Sequence, residues 1–172
     1  MKLGYMLDRE LDDIKRIIIH HSSSAHGSVE LFRRIHMEDN GYSDIGYNAV
    51  IGNGNGMDDG EIDAGRDIAK VPAHCKYQNY DSLGVCVIGN FMETSPTKKQ
   101  YASLIRQLVK WCLEFNLNPL GKDDKGFIIA SHRDYRPTDC PGDTLYAMLP
   151  QIRKDVDRRM KRKRTIQTRW KS

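Results

Sequence analysis

No apolar run in the 172 residues reaches the roughly 18 that a membrane-spanning helix needs. The opening stretch MKLGYMLDRELDDIKR holds no apolar block of the kind that precedes signal cleavage, so no secretory signal is expected. Cysteine is sparse, with four residues at Cys75, Cys86, Cys112 and Cys140. Without a secretory signal, that number argues against a disulfide framework. No CxxC or HxxxH pair occurs, which excludes a zinc finger. No internal repeat is present, so a solenoid is not expected.

What is there reads as one globular domain of ordinary size, 39% hydrophobic and 29% charged. The net charge of +4 is unevenly spread. Residues 153–172 carry ten Lys/Arg and two Asp, leaving 17 basic and 21 acidic residues of the 27 and 23 for the rest. The chain therefore divides into a domain over 1–152 and a basic tail over 153–172. The tail has three readings: a solvated helix end, an attraction to anionic surfaces, or nucleic-acid binding. Trp170 is its sole aromatic, so no stacking platform accompanies the charge and nucleic acid is not expected.

IKRIIIHHSSS reads as a buried strand running into a loop. SVELFRRIHMEDNG reads as a helix capped by Ser28, with Glu30 in its first turn, Leu31 and Ile35 on one face, and Gly41 as a stop. GYNAVIGNGNGMDDGEIDAG predicts a hairpin, and SLGVCVIGNF a central strand holding Cys86. SPTKKQYASLIRQLVKWCLEFN predicts a helix capped by Ser95, with Tyr101, Leu104, Ile105, Leu108, Cys112 and Phe115 as its stripe. GFIIASH predicts another strand. A last helix is expected to start near Pro150, with Ile152, Val156 and Met160 on one side. The order implies an α/β protein, a single domain with a central mixed β-sheet flanked by helices.

HRDYRPTDCPG joins His132 to Cys140 through a polar loop, where packing does not explain a cysteine. A third ligand lies at the end of the first strand, where His20 and His21 point to opposite faces. Spacing alone leaves the choice between them open. Two histidines, one cysteine and a fourth position for water match an open zinc site.

IIIHHSSS, DIGYNAVIG, AGRD, DSLGVCVIG and SHRDYRPTDCPG occur together in the order found in zinc-dependent N-acetylmuramoyl-L-alanine amidases. Over residues 15 to 150 the chain resembles that family, which includes short phage lysozyme-amidases and peptidoglycan recognition proteins. The resemblance implies an amidase-like fold, one Zn2+ per chain, and His20 rather than His21 as ligand beside His132 and Cys140. It implies catalytic roles for Tyr47 and for Thr138, which stands where many phage members have lysine. Cys86 stands where another branch has glutamate, so no glutamate base is expected there. The resemblance also places His74 and Asn79 at the substrate groove. Asp139 reads as a turn residue and Asp134 as a surface partner of Arg133 or Arg136. Arg66 is expected to be structural, and His26 and His36 to carry no chemistry.

The implied reaction is hydrolysis of the amide between N-acetylmuramic acid and L-alanine in peptidoglycan, by a phage-type endolysin. A non-catalytic recognition module and a cytoplasmic enzyme acting on recycled wall fragments are the alternatives. A monomer is expected, made in the cytoplasm and acting on the wall after release or delivery.

Overall fold

The computed structural model describes residues 6–169; Trp170 lies outside the described residues. Strand β1 (Arg16–His21) sits near the centre of a five-stranded sheet. It pairs in parallel with β4 (Ser82–Val87) on one side and with β7 (Ile129–Ser131) on the other. Beyond β4 lies β2 (Ala49–Ile51), parallel to it, and then β3 (Ile62–Ala64), antiparallel to β2. The expected hairpin is the β2–β3 pair, and the mixed sheet is as anticipated. All six residues of β1 and all six of β4 are buried, as parallel strands covered on both faces require.

Alternation along the strands sorts side chains between two cores. Ile17, Ile19, Leu83, Val85 and Val87 join Leu104, Leu108 and Cys112 of α2 (Lys98–Glu114) and Leu145, Leu149, Ile152, Val156 and Met160 of α3 (Asp143–Arg169). On the other face, Val50, Cys86 and Ile88 pack with Val29 and Phe32 of α1 (Val29–Glu38). His20 lies in register with Cys86 and shares that second face. Strands β1, β2, β4 and β7 all point the same way. Their carboxyl ends therefore form one edge, where open α/β sheets place their ligands.

Several local expectations shift. Ser28 does cap α1, accepting from Leu31 N at 3.1 Å. The face α1 buries is Val29 and Phe32, however, and Ile35 stays exposed. Helix α2 is capped two residues later than expected. Its cap is Thr97, not Ser95, in a reciprocal box with Gln100 at 3.0 Å both ways. Helix α3 starts at Asp143, with Pro150 inside it. It runs unbroken through 152 and 153, and Val156 and Met160 belong to the core. The basic stretch that leaves the body thus begins after Met160. The strand expected over GFIIASH is split into β6 (Gly126–Phe127) and β7, and β6 forms a short hairpin with β5 (Lys122–Asp123), which was not anticipated.

Candidate metal centre

Three chain segments bring the donors together. β1 ends with His20, β7 passes directly into a 3-10 turn that starts with His132, and the loop before α3 carries Cys140. One ligand atom from each lies within 4.8 Å of the others. Cys140 Sγ is 3.6 Å from His20 Nδ1, and the two imidazole centroids are 4.7 Å apart. His21 points to the other face, where its Nδ1 accepts from Phe91 N at 3.2 Å. Its own backbone N–H donates to Cys140 Sγ at 3.4 Å.

Each donor is held from behind. His20 Nε2 meets His74 Nδ1 at 2.9 Å, and His74 Nε2 meets Ser82 Oγ at 3.2 Å. Ser82 Oγ in turn donates to Gln78 O at 2.5 Å. The His74 ring lies flat on Gly84, where a Cβ would sit 2.5 Å from it. Asn79 Oδ1 accepts from His74 N at 3.0 Å and Cys75 N at 2.8 Å. His74 is buried and both its ring nitrogens are engaged by the protein, one of them as a support for His20. Asn79 keeps its amide NH2 without a partner among the described residues.

The turn that carries His132 is capped by Asp134, whose Oδ2 accepts from Ser131 N at 2.7 Å and Ser131 Oγ at 2.9 Å. Its Oδ1 accepts from Tyr146 OH at 3.0 Å, and among the described residues it makes no ion pair with Arg133 or Arg136. Asp139 is the expected turn residue, its carbonyl accepting from Gly142 N at 2.7 Å. Thr138 Oγ1 accepts from Cys140 N at 3.2 Å and so shapes the turn that presents the thiol. Arg133 clasps the loop, bonding Asp143 Oδ1 at 2.7 Å as well as the Asp139 carbonyl.

Tyr47 lies beside His20, with ring centroids 5.3 Å apart. Its other side rests on His36, also at 5.3 Å. His36 Nδ1 accepts from Gly46 N at 2.9 Å, which fixes the backbone before Tyr47. His36, expected in a helix without chemistry, lies in α1 and has this structural role, of which a helix histidine among charged neighbours gives no sequence sign. Arg66 is structural as expected, donating to the carbonyls of Ile45, Val71 and Asp44 at 2.7–2.8 Å. Asn48 bridges Arg66 O at 3.0 Å and Gly84 N at 2.9 Å.

Burial sets the protonation of the group. It pushes His20 well below the usual histidine range, helped by His74 and His132, and it pulls His74 down to about 3. His132 is also lowered, by burial and then by Arg136. Burial raises the Cys140 thiol to about 12, against the pull of the His21 N–H. Burial, then Cys86 and Cys140, keeps the Tyr47 phenol protonated. Convergent neutral imidazoles around a thiol, with no carboxylate or ammonium among them, make a donor set suited to a divalent cation that supplies the missing charge.

Fold and centre together define an α/β protein with a His/His/Cys donor set at the carboxyl ends of its parallel strands. A family profile described as N-acetylmuramoyl-L-alanine amidase matches residues 10–143, and the chain belongs to that family. The endolysin of Enterobacteria phage T3 is 30% identical over 133 residues, covering 73% of this chain and 78% of that protein. The N-acetylmuramoyl-L-alanine amidase of Sus scrofa is 31% identical over 122 residues, 71% of this chain, but the match spans 19% of that protein's length. Among solved structures, Drosophila peptidoglycan recognition protein SD is similar with a TM-score of 0.72 at 25% identity, covering 86% of this chain and 85% of that one.

Proposed function

We propose that this chain is a zinc-dependent N-acetylmuramoyl-L-alanine amidase of the phage endolysin type, cleaving the amide between N-acetylmuramic acid and L-alanine in peptidoglycan. The observation that carries this reading is the convergence of His20, His132 and Cys140 within 4.8 Å in a chain of this family. These three residues would hold one zinc ion, which when bound supplies a Lewis acid for the amide carbonyl and for water.

The chain's own groups prepare the rest. For His20 Nδ1 to face the cation, the ring proton must sit on Nε2, where it is donated to His74 Nδ1. His74 then carries its proton on Nε2 and donates to Ser82 Oγ, whose hydroxyl proton goes to Gln78 O. Every donor in this relay meets an acceptor, so the tautomer of His20 is fixed before a cation arrives. His74 is thus a positioning residue. Tyr47 offers a protonated phenol beside His20, able to donate to the oxygen that gains charge as the carbonyl is attacked. Thr138 positions Cys140 through its backbone N–H. The substrate is polymeric and lies outside the cytoplasmic membrane, so action follows release or delivery by other machinery.

The test is metal analysis combined with mass spectrometry of digested peptidoglycan, on wild type and Cys140→Ala. About one zinc per chain and free stem peptides from wild type alone are expected. Zinc-free protein that binds peptidoglycan without cleaving it would instead make the chain a recognition module.

A further inference from the structure

Helix α3 and helix α2 leave a groove of about 580 Å³ between them, in the helical layer on the sheet face opposite His20. Its floor is apolar, made by Ala102 and Ile105 of α2 and by Ile166, which is 55% exposed. Its rim is cationic, made by Arg158, Arg159, Arg162 and Lys163. These residues recur at three- and four-residue steps and therefore share one face of α3 with Ile166. Two carboxylates stand near, and both are taken. Asp155 accepts from Tyr101 OH at 2.7 Å, Gln151 Nε2 at 2.9 Å and Arg158 at 2.6 Å. Asp157 pairs with Lys161 at 2.8 Å. Arg159, Arg162 and Lys163 have no ion-pair partner among the described residues.

We infer that this groove is a docking site for an anionic lipid surface, with phosphate headgroups on Arg159, Arg162 and Lys163 and acyl chain along Ile105 and Ile166. The charge and the apolar floor select the occupant together. Unpaired cations attract any polyanion, but a nucleic acid has no aliphatic chain to lay on the floor. A nucleic-acid groove would also need aromatic faces for bases to stack on. Tyr101 is the groove's one aromatic among the described residues, and its hydroxyl is already bound to Asp155. A cationic rim over an apolar stripe is the pattern of a helix that lies at a membrane interface. Beyond Met160 the helix extends about 13 Å past its last core residue, far enough to present this face to a surface without moving the domain.

The test is flotation of the full chain with vesicles of phosphatidylcholine alone and of phosphatidylcholine mixed with phosphatidylglycerol. Wild type is expected to float only with the anionic vesicles and to dissociate as salt rises. Arg159→Glu/Arg162→Glu/Lys163→Glu should lose about a hundredfold in partitioning, since each cation near such a surface contributes several-fold. Ile166→Ser should weaken vesicle binding while leaving retention by duplex DNA unchanged. Thermal melting of each variant checks that the fold persists. Equal flotation of the charge-reversed variant and wild type would overturn the proposal. So would duplex DNA binding as tight as vesicle binding with both insensitive to Ile166→Ser, which would make the groove a general polyanion site.

Discussion

His20 needs His74, and His74 needs Gly84, so residues from two separate stretches of the chain act as one device. Replacing His74 with alanine leaves His20 Nε2 without its partner and frees the ring to turn. Zinc affinity, read by competition with a chromophoric chelator, is expected to fall about 10- to 100-fold in His74→Ala. Gly84→Ala should act in the same direction, because its Cβ would sit 2.5 Å from the His74 ring. An unchanged affinity in both variants would remove the relay. Tyr47 is tested separately. Tyr47→Phe keeps the packing on His20 and His36 but loses the hydroxyl. Zinc content should stay at the wild-type level while kcat drops about 10²–10³-fold, the usual cost of one oxyanion donor. A parallel loss of zinc would mean that the phenol acts on the centre's assembly instead.

At the scale of the elements, the amino end of β1 shows how polar side chains hold the sheet's far edge. Arg16 is almost wholly buried, yet it meets Asp123 of β5 at 2.6 Å, Asp81 at 3.4 Å and Tyr135 OH at 2.9 Å. Burial raises the Asp123 carboxyl, but the Arg16 guanidinium and the backbone N–H groups of Lys125 and Gly126 together hold it below the usual carboxylate range. A depressed folded value means the contribution is present above the unfolded value, near pH 4, and is lost as pH falls through the folded one. Asp123→Asn should therefore lower the unfolding free energy read from urea titration at neutral pH, by about 1 kcal/mol after allowance for solvent screening. The gap should close as pH falls through that folded value. A gap that is constant with pH would assign the loss to packing. The sequence made β1, α1, the β2–β3 hairpin, β4 and α2 readable because each shows a period or a cap. It misplaced the start of α3 because Pro150 resembles a first-turn proline, while the real start at Asp143 is set by the loop that Arg133 clasps to Asp139 and Asp143. The three converging donors were legible as strand ends plus a cysteine that packing does not explain, although the pattern left His20 and His21 open and the resemblance alone favoured His20. Their supports were not, because the partnerships His20–His74 and Tyr47–His36 are long-range contacts with no spacing rule.

Across the whole molecule, the centre joins parts of the chain that meet only in the native state. His20 ends β1, His132 follows the neighbouring edge strand β7, and Cys140 leads into α3. A cation held by all three would bind the folded chain and not the unfolded one. Its binding energy then adds to folding stability as the logarithm of its concentration over its dissociation constant, about 2.7 kcal/mol at a hundredfold excess. Chelation should accordingly lower Tm, and added zinc should restore it in proportion to log concentration. In Cys140→Ala the three-donor set is broken, and Tm should respond to neither chelator nor zinc. The charge-reversed α3 variant, whose substitutions lie beyond the centre, should keep the full zinc response. Differential scanning calorimetry over a zinc series separates these cases. A wild-type Tm that is flat in zinc would mean that the donors converge without binding the ion, and the family's scaffold would here serve recognition alone.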